Sequence, residues 1–348
     1  MRQPPTPPLI ETDDPDVWLK QHRDWGVWAS QCLDEDVAMS DIQNSLQEGH
    51  DHLFRQVWKR AVTTMKANGV AVPSSYVWFV MGSAGRKEAP LWTDQDHALF
   101  LGDDDRETVV TFSQRLVKGL QQAGYPRCPG RVMASEALWR GNPDTWNKRL
   151  NRWVTGSSRD DARYLMIVAD ARVVAGETDK VQKWRRDLIR LARQHPQILR
   201  RESDRRSRTP LNPWGGFYRE RYGKHAGKVP IKEGGYLLMV DAFRLWSLAL
   251  GIDETCTRRR IQEVGSSLKW SQQRVDTLLE ALDTFLEFRL RNSLQYGTDT
   301  NHVDTSEHPV SRIRRLKEAL VVSKQVWRSV RRDMERLAAH SDKGDRKR

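Results

Sequence analysis

Residues 76–101 read YVWFVMGSAGRKEAPLWTDQDHALFL. Tyr76–Met81 is a run of β-branched and aromatic residues stopped by Gly82, the composition of a buried strand. His97–Leu101 is a second such run, closed by Gly102 and three aspartates at 103–105. Gly82 and Gly85 lack a Cβ, so the chain can turn sharply there and a ligand can approach the backbone. Ser83 adds a hydroxyl. A helix starting at this point would aim free N–H groups at a phosphate, with Arg86 and Lys87 one turn in. Asp94 and Asp96 stand two residues apart at the start of the second strand, so their side chains share a face. Two adjacent carboxylates repel, and a hard divalent cation relieves that repulsion. Mg²⁺ (or Mn²⁺) is bound by one or two carboxylates together with substrate phosphates. Such an ion bridges phosphate oxygens, and a second one activates the attacking group for in-line displacement. The ordered set strand, Gly-Ser turn, Asp-x-Asp, strand therefore points to nucleotidyl transfer. Asp94 and Asp96 are the expected catalytic and metal-binding pair. Gly82, Ser83, Gly85 and Arg86 are the expected nucleotide contacts. The plainer alternative is that Asp94 caps a turn and Asp96 lies on the surface.

Outward from this stretch, the pattern becomes helical on both sides. Ile42, Leu46, Leu53, Val57 and Val62 recur at helical spacing within a segment running from Val17 to about Asn68. After the second strand, a helix over 105–123 carries Val109, Phe112, Leu116, Val117 and Leu120 on one face. Arg131–Ala134 is expected to be a third strand. Helices follow at 146–154, 160–175 and 180–194. The Gly/Pro/aromatic-rich connection 207–235 is too long to be idle. Tyr236–Leu250 is apolar nearly all round, as a core helix would be. Val275, Leu278, Leu282, Phe285 and Leu290 mark an amphipathic helix. A polar loop at 296–308 precedes a basic helix over 309–337. The fold class expected is α+β: a small mixed β-sheet core with flanking helices, followed by an all-α helical bundle. The domains expected are a disordered lead 1–15, an N-terminal helical segment 16–70, the sheet domain 71–175, the helical substrate-binding domain 176–340 and a basic tail 341–348.

With 348 residues, the chain is long enough for two cores. No apolar run approaches the ~18–20 residues that span a bilayer, and the opening MRQPPTPPLIETDDPD has no apolar stretch of the secretory kind. Cys32, Cys128 and Cys256 are isolated and form no CxxC pair, which indicates neither a zinc site nor a disulfide framework; reduced thiols in the cytoplasm are the expectation. Cys128 lies in a Gly/Pro turn without a neighbouring histidine, which speaks against a nucleophile. The net charge of +12 favours a polyanionic partner. It is concentrated at 200–208, 258–260, 312–317 and from Arg328 onward, where solvated helix faces account for it equally well. The fourteen tryptophans are expected to pack helices.

GSAGRKEAPLWTDQDHALFL resembles the Gly-Ser-x-Gly-Arg-x-Glu…Asp-Gln-Asp signature of the bacterial nucleotidyltransferases often fused to CBS or cyclic-nucleotide-binding domains. These are similar in turn to the nucleotidyltransferase domain of the PII uridylyltransferase and glutamine-synthetase adenylyltransferase group. GYPRCPGRVMASEALWR (124–140), the 170–176 segment, IKEGGYLLMVDAFRLWSLALGI (231–252) and LEFRLRNSLQ (286–295) extend the likeness over about residues 40–335. The resemblance implies a polymerase-beta-like fold and an NTP substrate. Gly82 and Ser83 would hold phosphates, Asp94 and Asp96 the Mg²⁺, Arg86 a phosphate, and Glu88 would support the loop. It also implies an acceptor that is a protein in signal transduction, with uridylylation of a PII-type regulator as the nearest analogue.

The likeness has gaps. The first seventy residues offer only helices, where the family often carries a sensory module. The superfamily often supplies a third carboxylate from a later strand, and RVMAS has none; Glu136 and Asp170 are the candidates. Lys232, Asp241 and Arg244 would reach nucleotide or acceptor, or else the Asp–Arg pair holds helices together; Arg289 has the same two readings. The competing functions are an NTP–Mg-binding signalling module without turnover and, on the strength of charge alone, a nucleic-acid-binding or RNA-modifying protein.

Overall fold

The computed structural model describes residues 5–73, 75–102, 106–204, 209–298 and 301–345. The chain divides into two compact units that interleave in sequence. One comprises residues 1–150, 170–185 and 293–298, the other 151–169, 186–292 and 299–348.

The first unit is built on a four-stranded mixed sheet, β1 (Tyr76–Val80), β2 (His97–Leu101), β3 (Arg140–Gly141) and β4 (Arg172–Gly176), in the order β3-β2-β1-β4. β1 runs antiparallel to β2, with Tyr76 opposite Leu101 and Val80 opposite His97. β1 is also antiparallel to β4, with a bulge between Trp78 and Phe79, and β3 is parallel to β2. The helices of this part of the chain are α1 (Pro15–Asp34), α2 (Met39–Ala67), the single turn α3 (Gly82–Gly85), α4 (Arg106–Gln122) and α5 (Pro143–Thr155).

Both faces of the sheet are covered, which is why β1 and β2 read as continuous apolar runs rather than alternating ones. On one face Trp78, Val80, Leu99 and Leu101 pack with Leu53, Phe54 and Val57 of α2 and Phe112, Leu116 and Leu120 of α4. On the other, Phe79 and Phe100 meet Trp146 and Trp184. Each buried aromatic withdraws roughly 150–250 Å² from water, about 4–6 kcal/mol before ordering costs. The tryptophans thus pack the sheet as well as the helices. One falls outside the expectation: Trp214 is 90% exposed.

Three readings of the sequence are corrected here. Residues 131–134 form no strand. Arg131 takes a φ of 57° at the end of a turn closed by its N–H to the Cys128 carbonyl, and β2 takes β3 as its other neighbour. The helix expected over 160–175 ends at Val168, and Arg172–Gly176 becomes β4, because β1 offers a free edge to the β-branched pair Val173–Val174. The lead is not loose over residues 8–12. Gln21 Nε2 donates to the Pro8 carbonyl at 2.8 Å and Trp18 Nε1 to that of Thr12 at 3.0 Å. The N-terminal helices belong to the same unit as the sheet.

The rest of the chain adds α6 (Arg159–Val168), α7 (Thr178–Gln194), α8 (Pro196–Ser203), α9 (Leu237–Leu250), α10 (Thr257–Ser267), α11 (Gln272–Tyr296) and α12 (Val310–Asp345), with a two-stranded ribbon of β5 (Val229–Pro230) and β6 (His302–Val303). In the second unit α9 is buried nearly all round and packs against α8, α10 and α12. It ends at Gly251, whose φ of 83° gives the left-handed cap. A turn of π-helix, Lys232–Tyr236, leads into it. Among the described residues, part of the basic clusters is engaged in ion pairs: Arg312 and Arg315 both reach Glu287 at 2.8 Å, Arg258 pairs with Asp283, and Arg331 with Asp204. Residues 103–105 and 205–208, and so part of the 200–208 cluster, lie outside the described residues, as do 346–348 of the expected basic tail.

Candidate active site

The site grows out of the end of β1. The Met81 N–H donates to the Asp96 carbonyl at 2.8 Å, carrying the β1–β2 pairing one step beyond the strands. The next residue is Gly82, with φ 56°. A Cβ there would overlap the Asp96 carboxylate, so glycine is required twice, by the backbone and by the acid lying against it. The helix expected to start here is one turn long. Gly85 N–H bonds to Met81 O at 3.0 Å and Arg86 N–H to Gly82 O at 3.1 Å, and Lys87 at φ 60° ends it. Gly82 and Ser83 remain partly accessible; Gly85 is buried, and a Cβ on it would overlap the Asp170 carbonyl.

Asp94 and Asp96 sit in extended chain just ahead of β2, and burial alternates from Thr93 to His97 with the two acids on the accessible side. Gln95 between them is buried. Its Nε2 donates to the carbonyls of Tyr125 (2.9 Å) and Val117 (3.2 Å). Its Oε1 accepts from His97 Nε2 at 3.2 Å, while Trp78 Nε1 donates to His97 Nδ1 at 3.0 Å. Both rings are thus satisfied by a neutral His97 protonated on Nε2. Burial pushes its pKa down to about 3. A buried polar network of this kind fixes register, because a one-residue slip would bury the acids and expose Gln95.

The third component was not expected. Gln95 forms a parallel bridge with Arg127, and its N–H donates to the Pro126 carbonyl at 3.1 Å. That register lays Cys128 beside Asp96. One ligand atom each from Asp94, Asp96 and Cys128 lie within 4.8 Å of one another. Burial first, and then the charges of Asp96 and Asp94, push the Cys128 thiol well above its ordinary pKa. No sequence spacing reveals this cluster; the one hint is that GYPRCPG falls within the likeness stretch. Two partly accessible carboxylates and a sulfur brought together beside the Gly82 turn make a donor set that fits a divalent cation.

Arg86 is placed otherwise than expected. Its Nη1 lies 2.6 Å from Asp170 Oδ2 and its Nε 3.2 Å from Glu88 Oε2; the three residues are 4%, 0% and 2% exposed. The guanidinium is committed to a buried ion triad that ties the turn after β1 to the start of β4, and Glu88 supports the loop through it. Asp170 is thereby spent on Arg86, and Glu136 pairs with Arg131 at 2.5 Å. Lys232, Asp241, Arg244 and Arg289 belong to the second unit. Asp241 and Arg244 form a buried pair at 2.5 Å, the structural reading of those residues, and Arg289 stacks on the Tyr236 ring. Lys232 is half-buried in the π-turn. The second unit also holds a groove of about 1390 Å³ lined by residues that include Tyr218, Arg221, Glu233, Asp241, Lys324 and Trp327.

Residues 24–160 match the family described as "Putative nucleotidyltransferase DUF294", and residues 200–334 the one described as "Putative nucleotidyltransferase substrate binding domain". The chain belongs to this nucleotidyltransferase family. The paired matches cover well over half of it. No curated protein matches the chain. The family implies an NTP substrate, and nucleotidyltransferases generally work with divalent metal ions. The Gly82–Ser83 turn and the Asp94/Asp96 pair lie in the first matched segment, the groove in the second. Among the described residues no helix is long and apolar enough to cross a membrane.

Proposed function

We propose that this nucleotidyltransferase moves an NMP from an NTP to a protein acceptor, with Asp94 and Asp96 as its catalytic carboxylates. The observation that carries the reading is the seating of the Asp96 carboxylate against the α-carbon of Gly82, with Asp94 alongside. Such a juxtaposition sets two carboxylates beside the partly accessible Gly82–Ser83 turn, and a triphosphate bound there would need a cation between it and them. A bound divalent ion, Mg²⁺ or Mn²⁺ by the carboxylates alone, would neutralise the phosphate oxygens and polarise the α-phosphorus. Asp94 and Asp96 would hold and orient that ion. The Gly82–Ser83 turn admits phosphate to the backbone, with the Ser83 hydroxyl free to donate. The Arg86 triad keeps the turn in place. The acceptor hydroxyl would attack the α-phosphorus in line, its O–H proton passing to solvent, as the bond to the β-phosphate oxygen breaks and pyrophosphate departs.

A protein acceptor is favoured by the groove in the second unit, which is larger than the ~300–1,000 Å³ usual for a small ligand and edged by both charge signs. Lys232, near that groove in sequence, is the proposed basic contact to nucleotide or acceptor. Signal transduction and a PII-type acceptor follow from the resemblance, with uridylylation as the nearest analogue and the donor left open among the NTPs. The test is incubation with each labelled NTP, Mg²⁺ or Mn²⁺ and a lysate. Labelled protein is expected with the wild type, and none with Asp96→Asn; equal labelling by that variant would exclude this mechanism.

A second reading, NTP binding without turnover, is favoured by one observation. Both candidates for a third catalytic acid, Asp170 and Glu136, are paired with arginines. Tight NTP binding without pyrophosphate release would decide for it.

A further inference from the structure

The site has a sulfur where a third carboxylate is expected. Cys128 is 8% exposed, yet its Sγ is grouped with the two accessible carboxylates, every pair of donor atoms within 4.8 Å. On a tetrahedral zinc-sized ion, with bond lengths of about 2.3 Å to sulfur and 2.1 Å to oxygen, two donors stand about 3.4–3.6 Å apart. The three groups lie within 4.8 Å of one another, so they share an ion once they close by at most about 1.4 Å, a movement that side-chain rotation covers. The placement is also firmly built. The bridge between Gln95 and Arg127, the Pro126 and Val132 carbonyls that accept from Gln95 and His97, and the Cys128–Arg131 turn hold the loop on both sides of the cysteine.

We infer that Cys128 is the third protein ligand of the Asp94/Asp96 cation, so that this site takes a thiophilic divalent ion such as Zn²⁺ or Co²⁺ in preference to Mg²⁺. The inference rests on the nucleotidyltransferase reading of the same site. Without the ion, the neutral thiol sits against Asp96. On binding, the S–H bond breaks, its electron pair goes to the metal–sulfur bond, and one proton is released to solvent; no oxidant is needed. Three protein donors leave at least one coordination position for a phosphate oxygen, the open arrangement of a catalytic rather than a structural site. Thiolate donors favour zinc and its neighbours over magnesium, which prefers oxygen.

The experiment is a titration of the full-length protein with Co²⁺, followed by absorption spectroscopy, with proton release read by an indicator dye. Expected are a thiolate-to-cobalt charge-transfer band in the near ultraviolet and about one proton per ion at neutral pH. Mg²⁺ should displace the ion only in large excess. Cys128→Ser should lose the band and bind Co²⁺ at least tenfold more weakly, while the double variant Cys32→Ser/Cys256→Ser keeps both. The second variant guards against a misfolded first one, since it retains Cys128 as its only thiol. Loss of the band in that double variant would overturn the inference. So would Co²⁺ binding without a thiolate band in a wild type that binds Mg²⁺–NTP, and the nucleotidyltransferase reading would then survive. A wild type that binds neither metal nor NTP would overturn both.

Discussion

Replacing Arg86 by methionine keeps much of the side-chain volume and removes the cation between two acids that have almost no contact with water. Glu88 and Asp170 are 2% and 0% exposed, so neither can recover solvation when the guanidinium goes. Removing one partner of a buried ion pair costs about 3–5 kcal/mol, because a buried charge is left uncompensated. Here two carboxylates share the loss, which places Arg86→Met at the upper end of that range. Against a total stability of about 5–15 kcal/mol, this is a severe defect. At roughly 2–4 °C per kcal/mol for a chain of 150–250 residues, a fall in melting temperature of about 10 °C or more is expected. The assay is thermal and urea unfolding followed by circular dichroism from pH 5 to 8. The gap between wild type and variant should narrow toward acid pH, as protonation relieves the stranded carboxylates. A phosphate-contacting arginine would behave in the opposite way, with native stability and weakened NTP binding. Unfolding curves within about 0.5 kcal/mol of wild type, the scatter of an ordinary surface substitution, would refute the buried-triad argument.

Gly82→Ala should cost about 1–2 kcal/mol in left-handed backbone strain and push the Asp96 carboxylate aside, weakening divalent-ion binding tenfold or more by calorimetry; Ser83→Ala should leave stability unchanged. Unaltered ion affinity in Gly82→Ala would refute the cradle. Burial holds the pKa values of His50 and His97 down to about 3, far below the ~6.5 of an unfolded chain. The unfolded state therefore binds more protons between about pH 3 and 6.5. The contribution of these residues to stability is complete above pH 6.5 and drains away as pH falls through that window. Two such groups give a slope of about 3 kcal/mol per pH unit, measurable by urea unfolding at pH 4.5–7; a flat profile there would contradict the burial of these imidazoles.

The strands β1 and β2 were legible because they are covered on both faces, and an uninterrupted apolar run of that length, stopped by a glycine, fits a buried strand better than a helix. The helices α2, α4, α9 and α11 announced themselves by spacing. β4 did not, since Ala171–Ala175 is as acceptable to a helix as to a strand, and only the open edge of β1 decides. The third expected strand failed for the converse reason: a turn at 128–131 interrupts a sequence of good strand formers. Within the site, the order Gly-Ser then Asp-x-Asp was enough to name Gly82, Ser83, Asp94 and Asp96 as candidates. The buried ion pairs of Arg86 left no signal, because a conspicuous arginine near a phosphate loop looks alike whether it faces solvent or a carboxylate 84 residues away.

Local chemistry along the chain was thus enough to put two carboxylates on one side beside a glycine turn, since strand periodicity alone aligns residues 94 and 96. Which groups join them is a matter of distance between segments remote in sequence. The pairing of Arg127 with Gln95 brings in a thiol, and the approach of Asp170 to Arg86 withdraws a charge. Neither leaves a trace in spacing, because side chains meet through the register of backbone hydrogen bonds that only the folded sheet and its loops establish.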